Sequence, residues 1–260
     1  MSEKTEQIKT NVVFTLESHF EYFGIDEGTG LSKYKLKEKA LRFSEYPHIG
    51  EKYADQKVRV VIVGADLGSD ELKDINNGKG SYHTFETKTN RLPEYNKTNA
   101  HMAGTYAIVI YLLRDSFPDL YSIIYPKDFT NSGLTARRAI RKLYGISAKE
   151  LISSFAMTNL HKFVTKNRPV KSGDENRRWF DQNAEFEFFK DELIALEPTV
   201  VVFQEPKVGK LNDAQIEELR NTLKGCTIVR LLHPSTRKKG GYQLYEDIVK
   251  KINGPSHDKP

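Results

Sequence analysis

The chain has little of several things that would narrow its chemistry at once. Among 260 residues there is one cysteine, Cys226, and one tryptophan, Trp179. A single thiol excludes an internal disulfide framework and any iron–sulfur or zinc site built from four cysteines. No apolar run approaches the roughly 20 residues that a membrane-crossing helix needs, and the opening MSEKTEQIKT has no apolar core of the kind a secretory signal carries. A cytoplasmic location with no membrane partner is therefore expected. Phosphate-cradling loops are missing too: Gly64 and Gly68 do not make G-x-G-x-x-G, and no G-K-[ST] follows. There is no G-x-S-x-G elbow for a serine nucleophile and no His, Asp or Glu cluster with metal-ligand spacing. No cofactor and no metal is expected.

What is present begins with VRVVIVGADLGSD at 58–70. Val58, Val60, Val61, Ile62 and Val63 form the β-branched run of a strand buried on both faces, and Gly64 to Gly68 break it. From there the chain alternates. Residues 100–116 have the spacing of a buried helix, and 133–145 reads as an amphipathic helix whose Arg137, Arg138, Arg141 and Lys142 form a solvated or a phosphate-binding side. LISSFAMTNL, 151–160, reads as a short strand ending at Asn159. A helix over 184–198 closes at Pro198, a strand follows at 199–204, and a helix at 212–225 has Asn212 as cap and Gly225 as stop. A strand at 226–232 and a helix at 241–253 complete the pattern. Four strands alternating with helices predict an α/β fold, a three-layer α/β/α sandwich around a central, mostly parallel four-stranded sheet.

The flanks are less periodic. Residues 1–10 read as polar and frayed. Over 11–57, Phe14, Phe20, Tyr22, Phe23, Tyr34, Phe43, Tyr46 and Tyr53 occur without a sustained period and end in a turn at 47–50. This predicts an irregular, aromatic-rich cover at 1–57, a main domain at 58–253 and a tail at 254–260. The connection at 71–99 is long and polar, as functional or disordered loops are, and 165–183 reads as a basic loop. The net charge of +5 is compatible with a polyanionic partner but does not select one.

If the strands are parallel, Asp66, Asn159 and His233 follow three of their carboxyl ends, with Gln204 and Glu205 at a fourth. Ligands of open α/β sheets bind at that edge, and a carboxylate, a carboxamide and an imidazole together can hold a small polar ligand by directed contacts. Taken singly, each has an ordinary alternative: Asp66 as a helix cap, Asn159 as a partner of loop amides, His233 before Pro234 as a turn residue.

Gly64-Ala65-Asp66-Leu67-Gly68 after a strand, Met157-Thr158-Asn159-Leu160 at the end of another, and Leu232-His233-Pro234-Ser235-Thr236 after the last strand resemble, in that order, the motifs of the uracil-DNA glycosylase superfamily. The resemblance spans about 58–250 and includes the helix and strand of 192–204. It implies a monofunctional DNA glycosylase that excises uracil or a 5-modified pyrimidine from single- or double-stranded DNA, acting as a monomer in base-excision repair or in defence. It implies that Asp66 stabilises an oxocarbenium-like sugar and orients water, and that His233 stabilises the leaving base. Asn159 then reads the pyrimidine edge in a pocket shaped by Gly64, Ala65, Leu67 and Gly68 over an aromatic floor, Phe85 or else Tyr82. Ser235 and Thr236 contact phosphates, Arg237 occupies the wedge position, and Lys238 and Lys239 adjoin it. Three departures stand out. Leu67 replaces a proline and loosens the turn, Gly68 stands where a tyrosine blocks 5-substituents, and Arg237 replaces a leucine. Two other classes stay open, a nucleic-acid-binding module without turnover and a hydrolase of free nucleotides or nucleosides.

Overall fold

The computed structural model describes residues 1–27, 29–36, 39–43, 46–64, 100–125, 148–165, 181–205 and 211–232. The parallel strands run where the β-branched and apolar runs are: β4 (Val60–Gly64), β5 (Ala156–Asn159), β7 (Val200–Glu205) and β8 (Thr227–Leu232). They belong to a five-stranded sheet in the order β3-β5-β4-β7-β8, in which β3 (His48–Ile49) is a short antiparallel edge strand beside β5. The fifth strand corrects the four-strand expectation. His48 and Ile49 fall within the turn expected at 47–50, because two residues are too few to show a period.

Helices cover both faces of this sheet. Val60, Ile62, Met157, Val202, Val229 and Leu231 share a buried cluster with α3 (Ala100–Leu112), α4 (Pro118–Ile124) and α5 (Lys149–Ile152). Val61, Val63, Ala156, Val201 and Phe203 share another with α1 (Glu3–Ser18), α2 (Phe20–Phe23), α6 (Gln182–Leu196) and α7 (Asp213–Thr222). Alternate residues of each strand enter opposite clusters, as the period of two requires.

The amino-terminal segment departs most from expectation. Residues 3–18 are not frayed: Thr5, Ile8, Val12 and Leu16 place one buried side chain per turn, Ser2 caps the helix at Thr5, and α1 packs on α6. Nor is the cover irregular. β1 (Leu31–Leu36) and β2 (Lys39–Phe43) form an antiparallel hairpin, and β2 pairs with β6 (Phe163–Thr165). A stripe only one residue wide per turn, and a hairpin whose first strand is polar on both sides, escape a period count. The expected strand at 151–160 is also shorter, since Leu151 and Ile152 belong to α5 and the strand starts at Ala156.

Elsewhere the boundaries differ by one to four residues, the helix expected at 100–116 ending at Leu112 and that at 212–225 ending at Thr222. Asp181 caps α6 through its bonds to the amides of Asn183 and Ala184, and the helix ends with Glu197 in the left-handed region before Pro198. Asn212 and Gln215 form a capping box on α7. The expected helices at 133–145 and 241–253, the loop at 71–99 and the tail lie outside the described residues. Among the described residues no helix is long and apolar enough to cross a membrane.

Candidate functional site

The strand ends meet in register. Gly64 is the parallel partner of Asn159, Val63 that of Phe203, and Glu205 that of Leu232, so β4, β5, β7 and β8 all finish at one edge. In the order β3-β5-β4-β7-β8 the chain leaves β4 toward α3 on one face and leaves β7 toward α7 on the other. Helices on opposite faces mark the carboxyl ends of those two strands as the point where open α/β sheets take ligands. The side of α3 nearest its start is there, as Gln204 donates from Nε2 to Thr105 Oγ1 at 2.8 Å with both residues buried.

Asn159 ends β5, on the side of β4 away from β7. Its carboxamide lies against the bare α-carbon of Gly64: a Cβ at position 64 would stand 2.8 Å from Asn159 Oδ1. The next amide, Leu160 N–H, donates to the Gly64 carbonyl at 2.8 Å and fixes the turn after β5 to the end of β4. Glycine is thus required at 64 for close approach of a side chain. The backbone there needs no positive φ.

Behind Asn159 is a polar cluster that sequence reasoning missed. Lys162, Glu192 and Thr158 are all buried, Lys162 Nζ lies 2.5 Å from Glu192 Oε2 and donates to Thr158 Oγ1 at 2.7 Å, and the Thr158 hydroxyl donates to Glu192 Oε1. The ammonium also lies 6.0 Å from the Phe189 ring centre. The network ties the β5–β6 turn to α6, one residue either side of Asn159 and Leu160–His161. A signal for it existed. Glu192 falls on the buried stripe of α6 with Phe188, Phe189 and Leu193, and a carboxylate on an apolar stripe demands a partner.

Of the residues singled out from sequence, Gly64 and Asn159 come together at the mouth. Ala65, Asp66, Leu67, Gly68, Tyr82, Phe85, His233, Ser235, Thr236, Arg237, Lys238 and Lys239 lie outside the described residues. In sequence, Asp66 is two residues beyond Gly64 and His233 one beyond Leu232.

The remaining chemistry is quiet. Burial pushes the Cys226 thiol up to about 11, against a smaller opposing pull from the Val201 main chain and Arg59, so it stays protonated at neutral pH and is no nucleophile. Among the described residues no group of three His, Cys, Asp or Glu side chains could hold a metal ion. A cleft of about 440 Å³ between the first turns of α6 and α7 is lined by polar residues that include Asn212, Gln215, Glu187 and Glu218. These already serve the α7 capping box and ion pairs with Lys190.

No protein-family model matches the chain, and no curated protein matches it.

Proposed function

We propose that this chain is a monofunctional DNA glycosylase of the uracil-DNA glycosylase kind, an α/β/α sandwich that hydrolyses the N-glycosidic bond of uracil or a 5-modified pyrimidine flipped out of DNA. One observation carries the reading. The strands that carry or precede the three resemblance motifs end at a single edge, with Gly64 and Asn159 paired there.

The chemistry asked of the mouth is specific. As the glycosidic bond breaks, its electron pair leaves with the base and C1′ becomes oxocarbenium-like. The Asp66 carboxylate stabilises that charge and orients the water whose oxygen bonds C1′, while the proton lost by the water balances the departing pyrimidine anion. His233 donates to the base carbonyl as negative charge grows on it. Asn159 can donate and accept along one pyrimidine edge, with Phe85 or Tyr82 as the stacking floor. Flipping needs a phosphate grip and a filler for the gap, roles given to Ser235 and Thr236 and to Arg237 with Lys238 and Lys239. A first motif without lysine leaves no amine for Schiff-base strand cleavage.

The decisive assay uses end-labelled oligonucleotides carrying one uracil or 5-modified pyrimidine. Base release makes the strand alkali-labile, and Asp66→Ala is expected to slow it by roughly 10³-fold. A gel shift without alkali-labile strands points instead to the binding module that the Leu67 departure permits. Turnover of free nucleosides alone points to the third class. Gly64→Ala makes a sharper test of the mouth, because the clash falls on a side chain that can swing away. The protein is expected to keep its melting temperature within a few degrees while single-turnover base release falls by about 10²-fold, the usual cost of a 1 Å misplacement. Unchanged release would remove Asn159 from the base pocket.

A further inference from the structure

The hairpin of β1 and β2 lies in one of the chain's basic stretches. Residues 31–43, LSKYKLKEKALRF, carry five basic residues and one acidic, a surplus of four where the whole chain has a surplus of five. The first strand does not behave as half of a two-sided sheet. Leu31 pairs with Arg42 and Lys35 with Ala40, so β1 spends four steps where β2 spends two. This bulge breaks the alternation, and Lys33, Tyr34 and Lys35 are exposed in succession.

The bulge is held rather than slack. Ser32 Oγ donates to the Phe23 carbonyl at 2.5 Å and accepts from Tyr34 N–H at 3.1 Å. Lys33 N–H donates to the Gly24 carbonyl at 2.8 Å, and the Lys33 stem crosses the space where a side chain on Gly24 would be. Its ammonium stands 5.1 Å from the centre of the Tyr34 ring. Lysines placed only to keep an edge strand from pairing need no such positioning.

The hairpin also adjoins the mouth. β2 is hydrogen-bonded to β6, whose first residue, Phe163, pairs with Phe43 and follows Asn159 by four residues. Four residues span at most about 14 Å, so Phe163 lies within that reach of Asn159.

We propose that this hairpin is a second grip on the nucleic-acid backbone, with Lys33 and Lys35 contacting phosphates several nucleotides from the base held at the mouth. The inference rests on the reading above for its partner, DNA, but not on catalysis. Charge complementarity selects that partner: ammonium groups spaced along an extended ribbon match a line of phosphates.

The test is fluorescence anisotropy of a labelled 20-mer, single- and double-stranded, titrated with the full-length protein between 50 and 200 mM salt. Each lost phosphate contact flattens the plot of log K against log salt by about 0.7 to 0.9. Lys33→Ala/Lys35→Ala is therefore expected to flatten it by between one and two units and to weaken binding about tenfold or more at 100 mM, with an unchanged melting temperature. Lys33→Glu/Lys35→Glu should weaken it further. The charge-matched control Lys52→Ala/Lys57→Ala, at the opposite edge of the main sheet, should change neither. Equal slopes for wild type and the hairpin variant overturn the proposal, as does an equal loss in the control, which reports net charge only. A hairpin-dependent affinity seen with phosphatidylserine vesicles and not with DNA overturns it in favour of a lipid surface. Base release with an unaltered slope sinks the hairpin and spares the glycosylase; an altered slope without base release does the reverse. Absence of DNA binding by the wild type sinks both.

Discussion

Lys162→Met is expected to lower stability by about 3–5 kcal/mol, because it strands the buried Glu192 carboxylate without its counter-charge. For a chain of this size that corresponds to a fall in Tm of roughly 10 °C or more. The physical content lies in the comparison. A buried ion pair costs nearly as much to desolvate as it returns in attraction, so removing both charges and the hydroxyl together is far milder than removing one. The triple variant Lys162→Met/Glu192→Leu/Thr158→Val should therefore melt near the wild type or above it. If Lys162→Met alone is also neutral by thermal and denaturant melts, the pair is not the closed network that the 2.5 Å contact describes. The network holds the turn after Asn159, so the triple variant also separates stability from site geometry: base release that falls while Tm holds would mark the pair as a positioning device.

Phe188→Ala should cost about 3–5 kcal/mol, the range for removing a fully buried ring and leaving a cavity. Its ring centre stands 4.7 Å from His19, 5.5 Å from Phe23, 5.9 Å from Phe43 and 6.2 Å from Phe163. One side chain of α6 thus joins the junction of α1 and α2, α2 itself, the hairpin and β6. His19 Nε2 is also 2.9 Å from Asp191 Oδ2 on the same helix, a second tie between the amino-terminal segment and α6. The expected result is a lowered urea midpoint with an unchanged m-value, since the whole chain still unfolds together. A lowered m-value would instead mean that residues 1–43 had detached while the parallel sheet survived. Phe14→Ala serves as the reference, because that ring is 75% exposed on α1 and its loss should move stability by no more than about 0.5 kcal/mol.

Both predictions turn on residues whose partners are distant in sequence, and the same distinction runs through the molecule. The β-branched runs at 60–64, 200–205 and 227–232 announce buried parallel strands on their own, because each strand is apolar on both faces and is bounded by turn residues. Asn212 announces a helix start because the capping box is local, and Asn159 announces a strand end because a polar residue stops an apolar run. The amino-terminal segment resists such reading. Its helix buries one side chain per turn, the first strand of its hairpin is exposed at Lys33, Tyr34 and Lys35 while Leu41 and Phe43 of the second are buried, and its order comes from contacts with α6 and β6 more than a hundred residues away.

Sequence alone determined the class of the fold, the apolar strands with their polar ends, and the exclusion of cysteine-built metal centres, since each is set by neighbours along the chain. Tertiary structure alone decided that Asn159 rests on Gly64, that Lys162 is neutralised by Glu192, and that a bulged, lysine-bearing ribbon is joined through β6 to the turn beyond Asn159. Those are relations between segments, and the physical forces that create them, close packing against a bare α-carbon, desolvation of paired charges and cross-strand hydrogen bonding, act across space; local order shows at most that Glu192 needs a partner, not which one.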